Sequence, residues 1–478
     1  PNYGLGHIGQ DSWAVRGRIA YELSDAATLT YTGGYRKFSG DSGDRLTLPV
    51  IYQSYSYRDD ATTQSHELRV NGDLNGIIYQ VGGFYFKEEL RRENGFMLPS
   101  FIFGQPPFGP NGPTPGTFLS YFVRNVNSES KSVFGQVEVP LGDTLTAVGG
   151  LRYTDNKRSA IYINASPFGP GAPDFGLIGA GPARKDLSKL KFVSTLPLGS
   201  KDDKITWLAG LNFKPNPDTL IYLKVSTGFK GGGFDSIGTY KPETNRAIEG
   251  GWKQTFGDHG QHQFNLGAFH YDYKDLQVSV LLDTAVGGQI FNAGKARIWG
   301  LEASGSIQLD DDTNFHTSFN YLNAKYRELL AQFNVFDLSG ALNGVGDLDP
   351  TTAGVQQASF GGNRPPFSPE VIVTMGLDHT FHIGEGTLTA RADTTFKSKY
   401  FTDFYNYRDG TQKAFTQTDM SLEYKPGSGQ FSVQAFVRNL ENKRPLTYGS
   451  FVSAGPDDIF NWQFGAPRTY GVRVGIDF

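Results

Sequence analysis

The last eleven residues, RTYGVRVGIDF, alternate between apolar and polar positions without a break from Tyr470 onward. Tyr470, Val472, Val474, Ile476 and Phe478 occupy one set of alternate positions, and polar residues or glycine occupy the other. A period of two predicts a β-strand with one apolar and one polar face. Because chain ends fray unless something pairs with them, we expect this strand to close a sheet against the sheet's first strand.

The same pattern recurs through the sequence. Alternating segments lie at 219–226, 371–382, 387–396 and 431–438. Each has about ten residues, the length of a tilted strand that crosses a bilayer, whereas strands of globular proteins average nearer five or six. The sequence contains neither a long amphipathic helix nor an apolar run of about eighteen residues. Its mean hydropathy of −0.37 is compatible with a membrane barrel, because alternate polar residues keep that average low.

Short and long connections alternate along the chain, and this alternation predicts the architecture. Short, turn-like connections rich in Gly, Asn, Asp and Pro lie at 24–27, 74–76, 140–144, 214–219, 256–261, 309–313, 382–386 and 425–430. Longer connections lie at 39–60, 89–127, 160–203, 328–366 and 441–466, with shorter ones near 230–241, 280–290 and 402–412. In an antiparallel meander every second connection lies at the same end. The pattern is that of an outer-membrane barrel with short periplasmic turns and long external loops.

The sequence therefore predicts an all-β fold, a transmembrane antiparallel β-barrel with about seventeen visible strands. Bacterial single-chain barrels have an even number of strands, and the first visible strand, 11–23, runs toward the end with the short turns. We therefore expect an odd number of strands to precede it. The N-terminal residues PNYGLGHIGQ lack the basic and apolar regions of a signal peptide.

Composition and spacing argue against catalysis and cofactor binding. The net charge of −4 implies no nucleic-acid partner, and the absence of Cys excludes thiol-based metal sites. Glycines at 228–233 lack the GKS or GKT of a phosphate-binding loop. Neither the aspartates at 310–312 nor the pair His259 and His262 has the spacing of a metal site. We expect no enzyme activity, no cofactor and no metal.

Aromatic residues beside arginine in the long connections are the best candidates for ligand contacts, because stacking and ion pairing suit a flat or anionic ligand. Aromatic girdles at the membrane interfaces are the alternative explanation for the same residues. The predicted substrate-binding residues are Tyr52, Tyr55, Tyr57, Arg58, Phe101, Phe103, Phe108, Tyr405, Tyr407 and Arg408. The predicted lumen-facing residues, on the polar positions of their strands, are Lys224, Arg391, Arg438 and Arg473.

Five stretches, in order and spanning nearly the whole chain, resemble TonB-dependent outer-membrane transporters. They are YLKVSTGFKGGGF at 222–234, KPETNRAIEGGWKQTF at 241–256, FNAGKARIWGLEASGSI at 291–307, VRNLENKRP at 437–445 and the terminal APRTYGVRVGIDF. Pro242, Glu243, Glu249, Gly251 and Lys253 match the second stretch. Asn292, Gly294, Gly300 and Glu302 match the third, "NAGKA…GLE".

The resemblance implies a barrel of about 22 strands filled by an N-terminal plug domain. It implies a plug segment that binds TonB in the periplasm, a terminal aromatic read by the barrel-assembly machinery, and contacts between the lumen-facing residues and the plug. By this reading residues 1–478 are the C-terminal part of the barrel, and the plug and about five first strands lie outside this sequence. The expected surroundings are the lipid of the outer membrane of a Gram-negative bacterium.

The function implied by the resemblance is TonB-driven uptake of a scarce, bulky nutrient, with a ferric siderophore as the default. Cobalamin, carbohydrate and aromatic compounds stay open as substrates. One alternative is a passive porin-like channel, because barrels of sixteen to eighteen strands leave an aqueous pore. A second alternative is a soluble all-β repeat protein, whose strands are expected to be shorter and whose long loops need not gather at one end.

Overall fold

The computed structural model describes residues 7–47, 52–98, 108–109, 112–113, 118–165, 192–235, 238–283, 287–292, 294–334, 355–453 and 458–476. Every regular element in these ranges is a β-strand, and none of the described segments is a helix with the length and hydrophobicity to cross a membrane. The main strands are β1 (His7–Ser24), β2 (Ala27–Thr47), β3 (Tyr52–Leu74), β4 (Ile77–Leu98), β7 (Phe118–Pro140), β8 (Leu145–Ala165), β9 (Phe192–Asn216), β10 (Thr219–Lys230), β13 (Glu243–Phe256), β14 (His262–Lys274), β17 (Gly294–Asp310), β18 (Thr313–Asn334), β20 (Val371–Ile383), β21 (Gly386–Lys397), β24 (Phe415–Lys425), β25 (Phe431–Arg438) and β28 (Thr469–Ile476).

Shorter strands lie in the connections between the main strands. They are β5 (Phe108–Gly109), β6 (Gly112–Pro113), β11 (Gly233–Phe234), β12 (Thr239–Tyr240), β15 (Gln277–Asp283), β16 (Gly287–Asn292), β19 (Val355–Ser359), β22 (Tyr400–Phe401), β23 (Thr411–Gln412), β26 (Leu446–Ser453) and β27 (Asp458–Phe464). The seventeen main strands and β19 belong to one 18-stranded sheet among the described residues. The predicted all-β class and strand number are therefore confirmed.

The chain divides into two compact units. Unit 1 comprises residues 1–137, 150–206 and 231–242, and within it β1, β2, β3 and β4 pair in chain order as antiparallel neighbours. Unit 2 comprises residues 138–149, 207–230 and 243–478. Within unit 2 each main strand from β10 to β28 pairs antiparallel with the next main strand.

All eight predicted short turns separate consecutive main strands. For example, β3 ends at Leu74 and β4 begins at Ile77, so two residues close the hairpin. Asn75 and Gly76 have φ values of 53° and 86°, the left-handed conformation that a tight two-residue hairpin requires at both positions. Because local turn chemistry fixes these positions, they could be predicted from the sequence alone.

The long connections differ from the prediction. The region 39–60 was expected to be a loop, but β2 and β3 remain paired up to Thr47 and Tyr52. Polar side chains stabilise this extension of the sheet. The Nε and Nη2 atoms of Arg92 on β4 donate to the carboxylate of Asp59 on β3 at 2.8 and 2.7 Å, and Arg58 pairs with Asp60 on its own strand at 3.2 Å. Strands such as β3, with 23 residues, therefore exceed the predicted ten.

Several other predicted loops hold hairpins of their own. The region near 280–290 contains the pair β15–β16, and the region 441–466 contains the pair β26–β27. Strand β18 has different partners along its length. Residues 313–321 pair with β20, and residues 330–334 pair with β19. Pairing within the loops satisfies backbone groups that would otherwise need water or side chains.

One face of the sheet is apolar, and its side chains are exposed. In unit 2 this apolar face includes side chains that are 40–69% exposed, namely Ile221, Leu223, Trp252, Leu266, Leu301, Phe319, Met375, Leu377, Leu422 and Val472. Register places these residues beside one another on adjacent strands; Trp252, for example, pairs with both Ile221 and Leu266. Soluble monomers rarely expose apolar patches this extensive, so the apolar face requires an apolar environment.

Candidate binding loops and the polar face

The long connections of unit 2 build a hydrophobic core of their own, here called the loop cluster. Its buried members are Val278, Ala296, Tyr326, Leu329, Ala331, Ala358, Phe360, Phe404 and Tyr407, with Tyr273, Leu276, Phe291 and Tyr405 packed against them. The buried members come from β15, β17, β18 and the segments 355–370 and 400–412. The loop cluster therefore joins connections that are far apart in sequence into one packed element.

Aromatic rings form the centre of the loop cluster. Phe360 is only 1% exposed, and its ring centroid lies 5.0 Å from that of Tyr405 and 6.4 Å from that of Phe404, both edge-on. The Tyr405 ring also lies 4.1 Å from that of Phe404 and 5.1 Å from that of Tyr407. Edge-to-face and offset pairs at these separations add to the stabilisation from burial alone.

Two asparagines connect the segments 360–370 and 400–412. Asn363 donates its side-chain N–H groups to the carbonyl oxygens of Phe404 and Tyr405 at 3.1 and 3.0 Å. Asn406, with φ at 58°, accepts from the Arg364 backbone N–H at 2.9 Å and donates to the Arg364 carbonyl at 2.9 Å. Asparagine tolerates the left-handed conformation, and its amide can donate and accept at once. These bonds fix the position of 400–412 on the segment beside it.

A second set of hydrogen bonds holds the segment 400–412 to the β26–β27 hairpin. The Tyr400 hydroxyl donates to the Leu446 carbonyl at 2.7 Å, and the Leu446 N–H donates to the Gln412 side chain at 2.8 Å. The Trp462 indole N–H donates to the Asp409 carbonyl at 2.9 Å. Residues 400–412 are therefore anchored on two sides, which preorganises the residues they expose.

Asp403 lies at the base of this segment. Among the described residues neither of its carboxylate oxygens has a hydrogen-bond partner in good geometry. Burial raises the pKa of Asp403 to about 7, and nearby backbone N–H groups of residues 405–407 counter only part of that rise. Burial also raises the pKa of the Tyr405 hydroxyl. The carboxyl group therefore takes up a proton in the physiological pH range.

The raised pKa of Asp403 predicts that the segment 400–412 loosens as pH rises. The protonated Asp403 carboxyl group stabilises the folded segment. This stabilisation is complete below about pH 3.9, the pKa of an aspartate in the unfolded chain, and is lost as pH rises through about 7, the pKa in the folded segment. Between pH 5 and pH 8 we expect the local opening free energy to fall by about 2 kcal/mol. Hydrogen exchange of residues 402–412, corrected for intrinsic rates, measures this change. Asp403→Asn should remove the pH dependence, and an equal dependence in that variant would contradict the assignment.

The predicted substrate-binding residues Tyr405, Tyr407 and Arg408 differ in their exposure to solvent. Tyr407 is buried in the loop cluster and Tyr405 is half-buried against it, so both support the segment that carries them. Arg408 projects from that segment with 68% of its side chain exposed, next to Asp409 at 3.3 Å. Arg408 is thus the exposed member of this group, and ligand contact by all three residues stays a prediction.

The other predicted ligand contacts lie in unit 1. Arg58 is ion-paired with Asp60 in the extension of β3, as described above. Tyr52, Tyr55 and Tyr57 belong to β3 by backbone pairing, and Phe108 belongs to β5. Their side chains lie outside the described residues, as do Phe101 and Phe103 entirely. For all of these residues ligand contact stays a prediction.

Polar side chains line the face of the sheet opposite the apolar face. Lys224 pairs with Glu249 at 2.6 Å, and Glu249 accepts a further hydrogen bond from Tyr271 at 2.8 Å. Arg391 lies 3.2 Å from Asp378, and the Arg438 guanidinium lies 5.5 Å from the Phe436 ring centroid on the same strand. Arg473 pairs in register with Gln434 and is exposed.

The terminal strand β28 pairs with β25 over its whole described length. Its apolar positions Tyr470, Val472, Val474 and Ile476 are 60–83% exposed, and they share the face of the exposed Phe431 on β25. Phe478 lies outside the described residues, so its predicted role in closing the sheet stays a prediction.

The structure explains why two positions of the "NAGKA…GLE" stretch are glycine. A side chain at Gly300 would meet the Phe269 ring and the Tyr321 carbonyl, so glycine lets the ring lie flat on the neighbouring strand. Gly294 has φ at 140°, which favours glycine, and its carbonyl accepts from the Leu276 N–H at 3.0 Å. Asn292 donates to the Asp275 carbonyl at 2.7 Å. The stretch thus closes the β15–β16 hairpin and starts β17.

The polar turns considered as metal sites have ordinary hydrogen-bond partners. Asp310 accepts from the Asp312 backbone N–H at 2.9 Å, and Asp312 lies 2.7 Å from His382. The Nδ1 atom of His262 accepts from the Gln308 backbone N–H at 3.2 Å. Within the described part of the chain no group of three or more His, Cys, Asp or Glu side chains could hold a metal ion.

Comparison with known families identifies this architecture. The family model described as "TonB dependent receptor-like, beta-barrel" matches residues 1–440. The chain belongs to the TonB-dependent receptor β-barrel family. Family members are outer-membrane receptors and transporters rather than enzymes, so the expected fold class and location are confirmed. The apolar face is the lipid-facing surface of the barrel wall.

Solved structures show the same fold at low sequence identity. The ferric yersiniabactin uptake receptor FyuA from Yersinia pestis is 16% identical with a TM-score of 0.71; the match covers 99% of this chain and 62% of FyuA. The siderophore receptor PiuA from Acinetobacter baumannii is 17% identical with a TM-score of 0.71, covering 98% and 64%. The ferric preacinetobactin receptor BauA from the same organism is 16% identical with a TM-score of 0.64, covering 99% and 64%. This chain therefore spans less than two thirds of each of these proteins.

Proposed function

We propose that this barrel takes up a ferric siderophore across the outer membrane in a TonB-dependent way. The match of the family model over residues 1–440 carries this proposal. The ferric yersiniabactin uptake receptor FyuA, the siderophore receptor PiuA and the ferric preacinetobactin receptor BauA share this fold, which favours an iron chelate over cobalamin or carbohydrate. Ferric chelates are bulky and commonly anionic, so the exposed Arg408 suits one by ion pairing.

The polar face supports the second part of the proposal, an N-terminal plug domain that binds TonB. Side chains such as Lys224, Glu249 and Arg391 present charges and hydrogen-bonding groups on that face. A polar plug surface can pair with them and can be rearranged without exposing apolar area to water. The first strands of the barrel and the plug would then be contributed by chain that precedes residue 1.

A transport assay tests the proposed function. Cells that carry the whole gene should accumulate radiolabelled ferric siderophore saturably, and a deletion strain should lose this uptake. Because TonB draws on the proton gradient, a protonophore or deletion of TonB should reduce the uptake to the level of the deletion strain. Arg408→Ala should raise the half-saturation concentration about tenfold, as expected for loss of one exposed charge-assisted contact.

A passive channel gives the opposite result. Uptake that rises linearly with concentration and survives the protonophore would replace active transport with diffusion. A panel of siderophores with catecholate, hydroxamate and carboxylate iron ligands identifies the substrate class. If none of them is taken up but cobalamin or an oligosaccharide is, TonB dependence stands and the iron assignment is wrong.

A further inference from the structure

The lipid-facing side of the sheet in unit 2 changes from apolar to basic over two residues along its strands. Ile248, His270, Trp299 and Asn323 lie side by side in register on β13, β14, β17 and β18. Below this row, toward the short turns, the same face carries Leu266, Leu301 and Phe319, each about 40% exposed. Trp299 therefore marks the edge of the lipid-facing band at the end with the long loops.

The next two rows on the same face hold an excess of positive charge. The first row is Arg246, Asp272, Arg297 and Lys325, and the second continues through Lys274, Lys295 and Glu328. Together they contain five basic and two acidic side chains, a net charge of +3 with His270 neutral. We call these seven residues the basic patch. Strand and residue spacings of about 4.8 and 3.3 Å give it an area of about 15 by 7 Å.

Both acidic residues of the basic patch already form ion pairs. Asp272 pairs with Arg297 at 3.0 Å and with His270 at 3.2 Å, and Glu328 pairs with Lys295 at 2.7 Å. Arg246, Lys274 and Lys325 are exposed, and the structure gives them no ion pair within the described ranges. Three cations thus face outward around a pre-positioned guanidinium, an arrangement that attracts phosphate oxygens.

The outer face of unit 1 shows that this excess is local. There Lys87 pairs with Glu89 at 2.7 Å, and Lys131 pairs with Glu129 at 2.7 Å. Lys157, on β8, also lies close enough to Glu129 to interact with its charge. In that region Lys87 and Lys131 each form an ion pair with an acid two residues away on the same strand, whereas three cations of the basic patch have no ion pair within the described ranges.

We propose that the basic patch binds the phosphate groups of a lipid in the outer leaflet of the membrane. The patch lies at the height of that leaflet's headgroups, because it directly follows the lipid-facing band on the side of the long loops. A protein partner would be expected to need apolar anchors, and the two rows offer none. Bound lipid phosphates would neutralise the patch and hold the acyl chains against the apolar face below.

The probe for this proposal is diphosphorylated lipid A, titrated against the full-length protein in neutral detergent and followed by native mass spectrometry. Arg246→Gln/Lys274→Gln/Lys325→Gln should weaken binding at least about tenfold, since each cation near an anionic membrane surface contributes measurably to affinity. The control Lys87→Gln/Lys131→Gln/Lys157→Gln changes the net charge equally and should stay within about twofold of wild type. Binding should also weaken in high salt.

Several results would overturn the proposal: equal loss in both triple variants, no loss in the first, or equal binding of dephosphorylated lipid A. Saturation of the site by inorganic phosphate at the concentration that lipid A requires would assign it to a free anion instead. Heat-induced mobility shifts on gels confirm that each variant is folded. If the triple variant does not fold, Lys325→Gln alone should weaken binding about threefold. The charge-retaining Lys325→Arg should bind lipid A as tightly as wild type.

Discussion

Phe360→Ala is expected to destabilise the loop cluster by about 3–5 kcal/mol without unfolding the barrel. Phe360 is 1% exposed, and its ring contacts two aromatic rings of the segment 400–412. Removing it leaves a cavity that the anchored segments cannot close by moving together. Hydrogen exchange of residues 400–412 should accelerate by orders of magnitude, while exchange in β24 and β25 stays as in wild type.

Phe367→Ala is the matched control for this substitution. Phe367 lies in the same segment but is 47% exposed, and its ring centroid lies 5.9 Å from that of Tyr400. We expect at most about 1 kcal/mol for this change. In the transport assay Phe360→Ala should raise the half-saturation concentration more than Phe367→Ala. Similar exchange rates in the two variants would show that the loop cluster is not a cooperative unit.

The sequence predicted the membrane-facing part of this fold well because that part follows local rules. The alternation in 387–396 and the turn residues at 382–386 each depend on a few neighbouring positions. Gly384, for example, has φ at 62° in its turn. The terminal strand was predicted for the same reason, since each residue's environment repeats every second position.

The loop cluster could not be predicted in this way because its contacts join distant positions. Asn406 bonds to Arg364, and Phe360 packs on Tyr405, across more than forty residues. No local period indicates such pairs. The extension of β2 and β3 was missed for another reason. Arg58, Asp59 and Asp60 indicate a solvated loop when read singly, yet Asp59 pairs with Arg92 on β4 and Asp60 accepts a hydrogen bond from Ser39 on β2.

The predicted ligand residues show the same limit. Aromatic residues at 403–410 were chosen as ligand contacts because they are aromatic and lie in a connection. The structure shows that Tyr407 is buried and Tyr405 half-buried, and that Arg408 is exposed. Distinguishing a buried residue from an exposed one required the packing partner Phe360, which lies in another loop. The Pro, Gly and Asn residues in 361–366 indicate only a loop.

Phe319→Arg is expected to reduce the free energy of barrel unfolding by about 2–4 kcal/mol, since it places a charge on the lipid-facing surface near the membrane centre. Phe319 pairs with Ala303 and Val373, within the apolar band that ends at Trp299. Its neighbour Asn320 lies on the polar face and pairs in register with Glu302. Asn320→Arg introduces the same side chain one residue away, where Glu302 can neutralise it, so we expect a loss below about 1 kcal/mol.

Urea titration of the barrel folded into phospholipid vesicles, followed by tryptophan fluorescence, measures both changes. The comparison separates the two faces because the variants share the strand, the new side chain and the change in net charge. Losses of equal size would mean that the two faces meet similar solvents, and the division into a lipid-facing and a water-facing surface would fail. A larger loss for Asn320→Arg would reverse the assignment of the faces, since alternate residues of one strand cannot both point toward lipid.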